Sequence, residues 1–131
     1  LFLFFFFFVA GSFLTSFPGT VAHTGVFGLA LGGGQGHLSR MHGLSVDNIL
    51  DATVVLHDGS IKYCSDKENS DLFWAIRGAG SNFGVVTSLT FRLHDLPKTH
   101  QNTLIYPLPI AKPVIKYILE YSRTTMPREM K

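Results

Sequence analysis

PGTVAHTGVFGLALGGGQGHLSRMHGLSVDNILDATVVLHDG, residues 18–59, is the stretch whose reading decides the fold. Pro18–Gly19 is a turn signal. Thr24 is placed to cap a short helix over residues 25–31, although Gly25 and Gly28 weaken its propensity. Gly32, Gly33, Gly34 and Gly36 follow as a loop. Residues 37–42 read as one or two helical turns stopped by Gly43. Residues 49–57 then read as a strand, Asp58–Gly59 as a hairpin turn, and residues 60–64 as the returning strand.

The downstream sequence continues in the same style. A helix is expected from Asn69 to Ile76, capped by Asn69 or Ser70, with Leu72, Phe73 and Ile76 on one face. Residues 77–84, RGAGSNFG, read as a second glycine-rich loop. Val85, Thr87, Leu89, Phe91 and Leu93 alternate as one side of a long strand, ended at Leu96–Pro97. Beyond it the pattern predicts a short strand over residues 103–108 and an amphipathic helix over residues 110–125, with Val114, Ile118, Leu119 and Tyr121 near one face. The tail, TTMPREMK, stops within an element, so the chain opens a second structural unit without completing it.

The glycine loop has a chemical use. Lacking Cβ atoms, its backbone can take positive φ and approach a bulky ligand. Successive N–H groups can then hold phosphate oxygens without a cationic side chain. The sequence before Arg40 holds no Asp, Glu, Lys or Arg, which suits such a site. The pyrophosphate of a dinucleotide is the natural candidate, and a plain turn between helix and strand is the competing reading. The spacing is not GxGxxG, because the third glycine would fall at His37 or Ser39. It is not a P-loop either, since no GK[ST] follows.

Composition narrows the classes. With 131 residues, 46% of them hydrophobic and 15% charged, the chain has the length of one domain and enough apolar sequence for a core. A net charge of +2 without a dense Lys/Arg patch argues against a nucleic-acid surface. The single cysteine, Cys64, excludes an intrachain disulfide and a zinc site of several thiolates, and it reads as a half-buried strand thiol. His37 and His42 are poorly spaced for a metal and read as loop histidines. Phe73 and Trp74 read as core anchors rather than rings that stack on a ligand. Arg77 reads as a partner at its helix end, and Asp66, Lys67 and Glu68 as a solvated turn.

Residues 1–17, LFLFFFFFVAGSFLTSF, stand apart. A signal peptide would want a starting Met and a basic segment. A membrane span needs about 17–25 apolar residues, and Gly11, Ser12, Thr15 and Ser16 interrupt this run. A third reading is a translated intron end, because Phe and Leu codons are pyrimidine-rich. Genomic sequence without a pyrimidine tract would refute it. On composition the run is set outside the fold, and a membrane role is not expected.

Several segments taken together resemble one family. Residues 18–59, with GGGxG and then GLxxDN, and residues 69–94, NSDLFWAIRGAGSNFGVVTSLTFRLH, are similar to the two signatures of FAD-linked oxidases. The resemblance is to the berberine-bridge-enzyme-like branch of the vanillyl-alcohol-oxidase and p-cresol-methylhydroxylase (PCMH) superfamily. It implies an α+β fold: residues 18–97 as the second half of a PCMH-type FAD-binding domain, an antiparallel or mixed sheet with short helices, and residues 98–131 as the start of a substrate domain. It implies FAD as cofactor and a small-molecule substrate whose hydride passes to the flavin and on to O2 or another acceptor. Gly25, Val26, Gly28, Gly32, Gly33, Gly34 and Gly36 would line the pyrophosphate and ribityl chain. Asp47 and Asn48 would sit beside the cofactor, with Asn48 able to fix the loop by local hydrogen bonds. Gly84, Val85 and Val86 would offer backbone groups to the adenine.

The departures matter equally. Leu29 stands where plant members often carry a His, and Val21 where they carry a flavin-linking Cys, so bicovalent attachment is excluded on this reading. The upstream loop that brings a flavin-linking His has no counterpart here, nor has the downstream substrate sheet with its Tyr or Glu base. No catalytic residue is assigned. An inactive fragment or non-catalytic flavin-binding remnant is therefore the alternative.

Overall fold

The computed structural model describes residues 6–9, 12–15, 19–21, 23–95, 104–128 and 130. In chain order the elements are β1 (Phe6–Val9), β2 (Ser12–Thr15), α1 (Val26–Leu31), α2 (Ser39–His42), β3 (Ile49–Val55), β4 (Ile61–Ser65), α3 (Ser70–Ala79), β5 (Val85–Phe91), β6 (His94–Asp95) and α4 (Ala111–Thr124). They form two antiparallel sheets, β1-β2-β6 and β4-β3-β5. The expectation that residues 1–17 lie outside the fold falls partly on residues that are not described. Where they are described, β1 pairs with β2, and β2 pairs with β6 through Leu14↔Asp95 and Thr15↔His94.

The β4-β3-β5 sheet carries the core. β3 and β4 are joined by the expected hairpin, with Gly59 at φ 81° and its N–H donating to Leu56 O at 3.0 Å. Asp58 Oδ1 accepts from Ser60 N at 2.9 Å, an Asx turn that depresses the Asp58 pKa. One sheet face, with Ile49, Ala52, Val54 and Cys64, packs against Ala30 of α1 and Phe73 and Ile76 of α3. Burial of these seven apolar residues is the main stabilising term, at roughly 1.5–3 kcal/mol for each large side chain. Cys64 is fully buried rather than half-buried, and burial pushes its thiol pKa up. The other face carries the cross-strand rows Val85–Val55–Ile61 and Ser88–Thr53–Tyr63. Val85 and Ile61 are exposed there.

Three expectations need correcting at α3 and β5. Trp74 is 75% exposed, not a core anchor, because Phe73 and Ile76 already occupy the face turned to the sheet. The second glycine segment is not a continuous loop: α3 runs on to Ala79, broken at Arg77 and at Gly78 (φ 127°). The strict alternation along β5 fails as well. Val54 pairs with Val86 and Thr53 with Ser88, so Thr87 is an extra residue in the ladder and bonds through Oγ1 to Thr53 O at 3.3 Å. This bulge moves Val85 off the side of Leu89 and Phe91, and Val86 packs on the core in its place.

Arg77 takes the structural role expected of it. It lies 3.7 Å from Asp66 and over the Phe73 ring at 4.4 Å. Asn69 precedes α3 in the left-handed conformation (φ 46°), which Asn tolerates, and its amide donates to Tyr63 O at 2.6 Å rather than capping the helix. Beyond β6, residues 104–107 form no strand and lead into a 3-10 turn at Leu108–Ile110. Leu96, Pro97 and Thr103 lie outside the described residues. α4 forms where the apolar spacing placed it, yet Ile118 and Leu119 remain half exposed, so its apolar face lacks the cover a packed helix would have.

Candidate functional site

The glycine segment is built around α1. Gly25, not Thr24, is the N-cap, in extended conformation, and Leu29 N donates to Gly25 O at 3.0 Å. The N–H groups of Val26, Phe27 and Gly28 in the first turn have no partner within the helix. Among the described residues, a Cβ placed on Gly25, Gly28 or Gly33 would meet no atom within 4 Å, so this side of the segment is open toward them. Leu29 and Val21, at the two positions of departure, are part-buried and 47% exposed respectively.

The other side of the loop is closed by its own backbone. Gly33 (φ 114°) and Gly34 (φ 81°) turn the chain so that Gly34 O accepts from Ser45 N and Gly33 O from Val46 N, both at 2.8 Å. A Cβ on Gly34 would lie 2.6 Å from Ser45 Cβ and Oγ. Gly36 donates to Ser39 Oγ at 2.8 Å and forms a bridge with Gly19. The loop is therefore a fixed turn with one packed and one open side.

Asp47 and Asn48 brace it. Asp47 Oδ2 accepts from Leu44 N at 2.7 Å and fills the space beside Gly43 (φ 84°). Asn48 is 2% exposed. Its Nδ2 donates to His42 O at 3.1 Å and Leu44 O at 2.8 Å, and its Oδ1 lies 2.9 Å from His94 Nε2. Both side chains thus act on the chain's own backbone. Ser45 and His94 belong to the same construction, and no sequence motif pointed to them: their partners are set by tertiary contact, His94 from a strand far downstream.

The second predicted group lies elsewhere. Gly84 (φ 150°) sits where a Cβ would fall 2.5 Å from Val55 O. It opens β5 beside an open concavity of about 440 Å³ lined by Val55, Leu56, His57, Asn82, Phe83, Gly84 and Val85. Val85 pairs with Val55, the last residue of β3, whereas Asn48 immediately precedes the first. Asn48 and Val85 therefore flank opposite ends of a seven-residue strand, about 20 Å long at ~3.4 Å per residue. The two groups are linked through the core by Leu31, whose Cβ lies 2.8 Å from the position of a Cβ on Gly80.

Residues 7–65 match the FAD binding domain family. The chain is 51% identical over 85 residues to (R)-6-hydroxynicotine oxidase of Paenarthrobacter nicotinovorans, covering 65% of this chain and 19% of that protein. It is 40% identical over 115 residues to glucooligosaccharide oxidase of Sarocladium strictum, covering 86% and 23%. The solved structure of a berberine-bridge-enzyme-like protein of Physcomitrella patens superposes with a TM-score of 0.61 at 44% identity, covering 63% of this chain and 18% of that one. The chain spans about a quarter or less of the length of these proteins. On sequence and fold together, the chain carries part of a PCMH-type FAD-binding domain like that of FAD-linked oxidoreductases, berberine-bridge-enzyme-like proteins among them.

Proposed function

We propose that the open side of the glycine segment, Gly25, Val26, Gly28 and Gly32 to Gly36, holds the pyrophosphate and ribityl chain of FAD. On this reading Gly84, Val85 and Val86 receive the adenine at the far end of β3, and Asp47 and Asn48 keep the loop in shape. The observation that carries the reading is the space around Gly25 and Gly28: a Cβ there would meet none of the described residues within 4 Å, and neither glycine has a positive φ, so neither packing nor backbone conformation accounts for them. A phosphate would be met by backbone N–H groups from a stretch without charged side chains.

FAD, when bound, supplies a hydride acceptor and passes the electrons to O2 or another acceptor. The work of this chain is to bind and orient it. Substrate choice lies elsewhere in the parent enzyme. Relatives named for a hydroxynicotine and for glucooligosaccharides share this stretch at 51% and 40% identity, so it is common ground between unlike small organic substrates.

The test is a titration of the 131-residue chain, and of a longer protein containing it, with FAD, followed by quenching of flavin fluorescence. Saturable binding, with a flavin band near ~450 nm retained through gel filtration, is the expected result. FAD left free by both proteins would refute the reading. Binding without substrate-dependent O2 consumption in the longer protein would mark a non-catalytic flavin-binding remnant.

A further inference from the structure

His94 lies in β6, at the very end of the second signature segment, yet it bears on the glycine loop. Both hydrogens of the Asn48 amide point at the His42 and Leu44 carbonyls, so the Asn48 oxygen faces His94. A carboxamide oxygen has no hydrogen to give, so His94 Nε2 is the donor of the 2.9 Å bond. The carbonyls gripped by Asn48 flank Gly43. The next two residues, Ser45 and Val46, donate to Gly34 and Gly33. A continuous path therefore runs from His94 through Asn48 and the 42–46 turn to the two positive-φ glycines. The His42 ring lies 4.0 Å from the His94 ring, tilted by 35°. Two imidazolium charges at that separation repel, so the folded pair disfavours full protonation.

We propose that His94 is a positioning residue for the glycine loop, and that closure of this loop, and with it affinity for FAD, weakens as His94 takes up a second proton beside the His42 ring. The FAD clause rests on the function proposed above; the loop clause does not. Among the described residues, the charged and titratable groups set against His94 include His42 from α2, and Arg92 and Asp95 from its own segment. Arg92 adds to the repulsion and Asp95 opposes it. β2, which pairs with β6, holds no titratable residue between Ser12 and Thr15. Asp47 is engaged by Leu44 N. Burial first, and then the His42 ring, hold the His94 imidazole below its usual value. A histidine depressed in the closed state contributes stability above its ordinary pKa of about 6.5, and that stability is lost as pH falls through the lower, closed-state value.

The experiment is amide hydrogen exchange on the full 131-residue chain, corrected for intrinsic rates, from about pH 8 to about pH 5. Ser45 and Val46 report loop closure, and Ala52 and Val54 in β3 report whether the domain is folded. In the parent chain, protection at Ser45 and Val46 is expected to fall roughly tenfold toward acid while β3 stays protected. In His94→Gln, whose amide can donate to Asn48 without titrating, protection should hold across the range. In His94→Ala it should be low throughout. An equal acid loss in His94→Gln, or full protection in His94→Ala, overturns the proposal. FAD fluorescence quenching on the same samples separates the two readings. The exchange pattern without FAD binding leaves His94 in place and removes the flavin function. FAD binding that is flat with pH, with unchanged exchange, removes the His94 role and leaves the function.

Discussion

The two glycine-rich segments look alike as sequence and differ in structure. In the first, Gly25, Gly28 and Gly33 face empty space. In the second, Gly78 is open as well but sits at positive φ in the break of α3, while Gly80 is pressed against Leu31 and Gly84 against the carbonyl of Val55. Glycine has separate causes here. One is positive φ at a turn or break, as at Gly33, Gly59 and Gly78; another is close approach of the chain to itself, as at Gly34, Gly80 and Gly84. Gly25 and Gly28 show neither among the described residues. Glycine content therefore does not mark a ligand site, and an open Cβ position does so only where φ is ordinary.

Substitutions can break this contrast. Gly84→Ala should have the largest effect, about 3 kcal/mol of destabilisation, because a side chain at φ 150° is strained and the Val55 carbonyl blocks it. A urea midpoint unchanged from the parent would place Gly84 with the open glycines. Asn48→Ala should cost about 2 kcal/mol, by leaving the His42 and Leu44 carbonyls without their amide donor. Thermal unfolding measures this, and a shift within error would mean that the loop is held without Asn48.

Gly28→Ala should act in the opposite sense. Gly28 lies inside α1 without positive φ and with nothing near its Cβ position, so alanine should stabilise by about 0.5–1 kcal/mol. If FAD approaches there, the same substitution weakens FAD binding. A rise in Tm with a loss of affinity sharpens the contrast between fold and site; a rise in both removes Gly28 from the site. The smallest effect should come from Trp74→Ser. An exposed residue outside the core should change stability by no more than about 0.5 kcal/mol, and a larger loss in the isolated chain would return Trp74 to the core.

Much of the fold was legible in advance because its signals are local. The Asp58–Gly59 hairpin, β3 and β4 follow from turn chemistry and β-branched runs. Phe73 and Ile76 follow from helical spacing, and α4 follows from spacing even though Ile118 and Leu119 on its apolar face stay half exposed among the described residues. The errors arose where a neighbour overrides a local pattern. The bulge at Thr87 is set by how β5 pairs with β3. Trp74 has the character of a core residue, but the face of α3 that meets the sheet had no place for it. Gly25 rather than Thr24 starts α1 because the extended residue before a helix is defined by backbone geometry, not by side-chain type alone.

By itself, the sequence determined the order of elements, the neutral glycine stretch and the two spaced signatures that carry the family. These are properties of neighbours along the chain, where propensity and spacing act directly. Only the tertiary structure decided which glycines are open, that Asn48 is gripped by His94, and that Asn48 and Val85 flank opposite ends of β3. Each of these depends on residues distant in sequence meeting across a packed core, and no local pattern encodes the distance at which they meet.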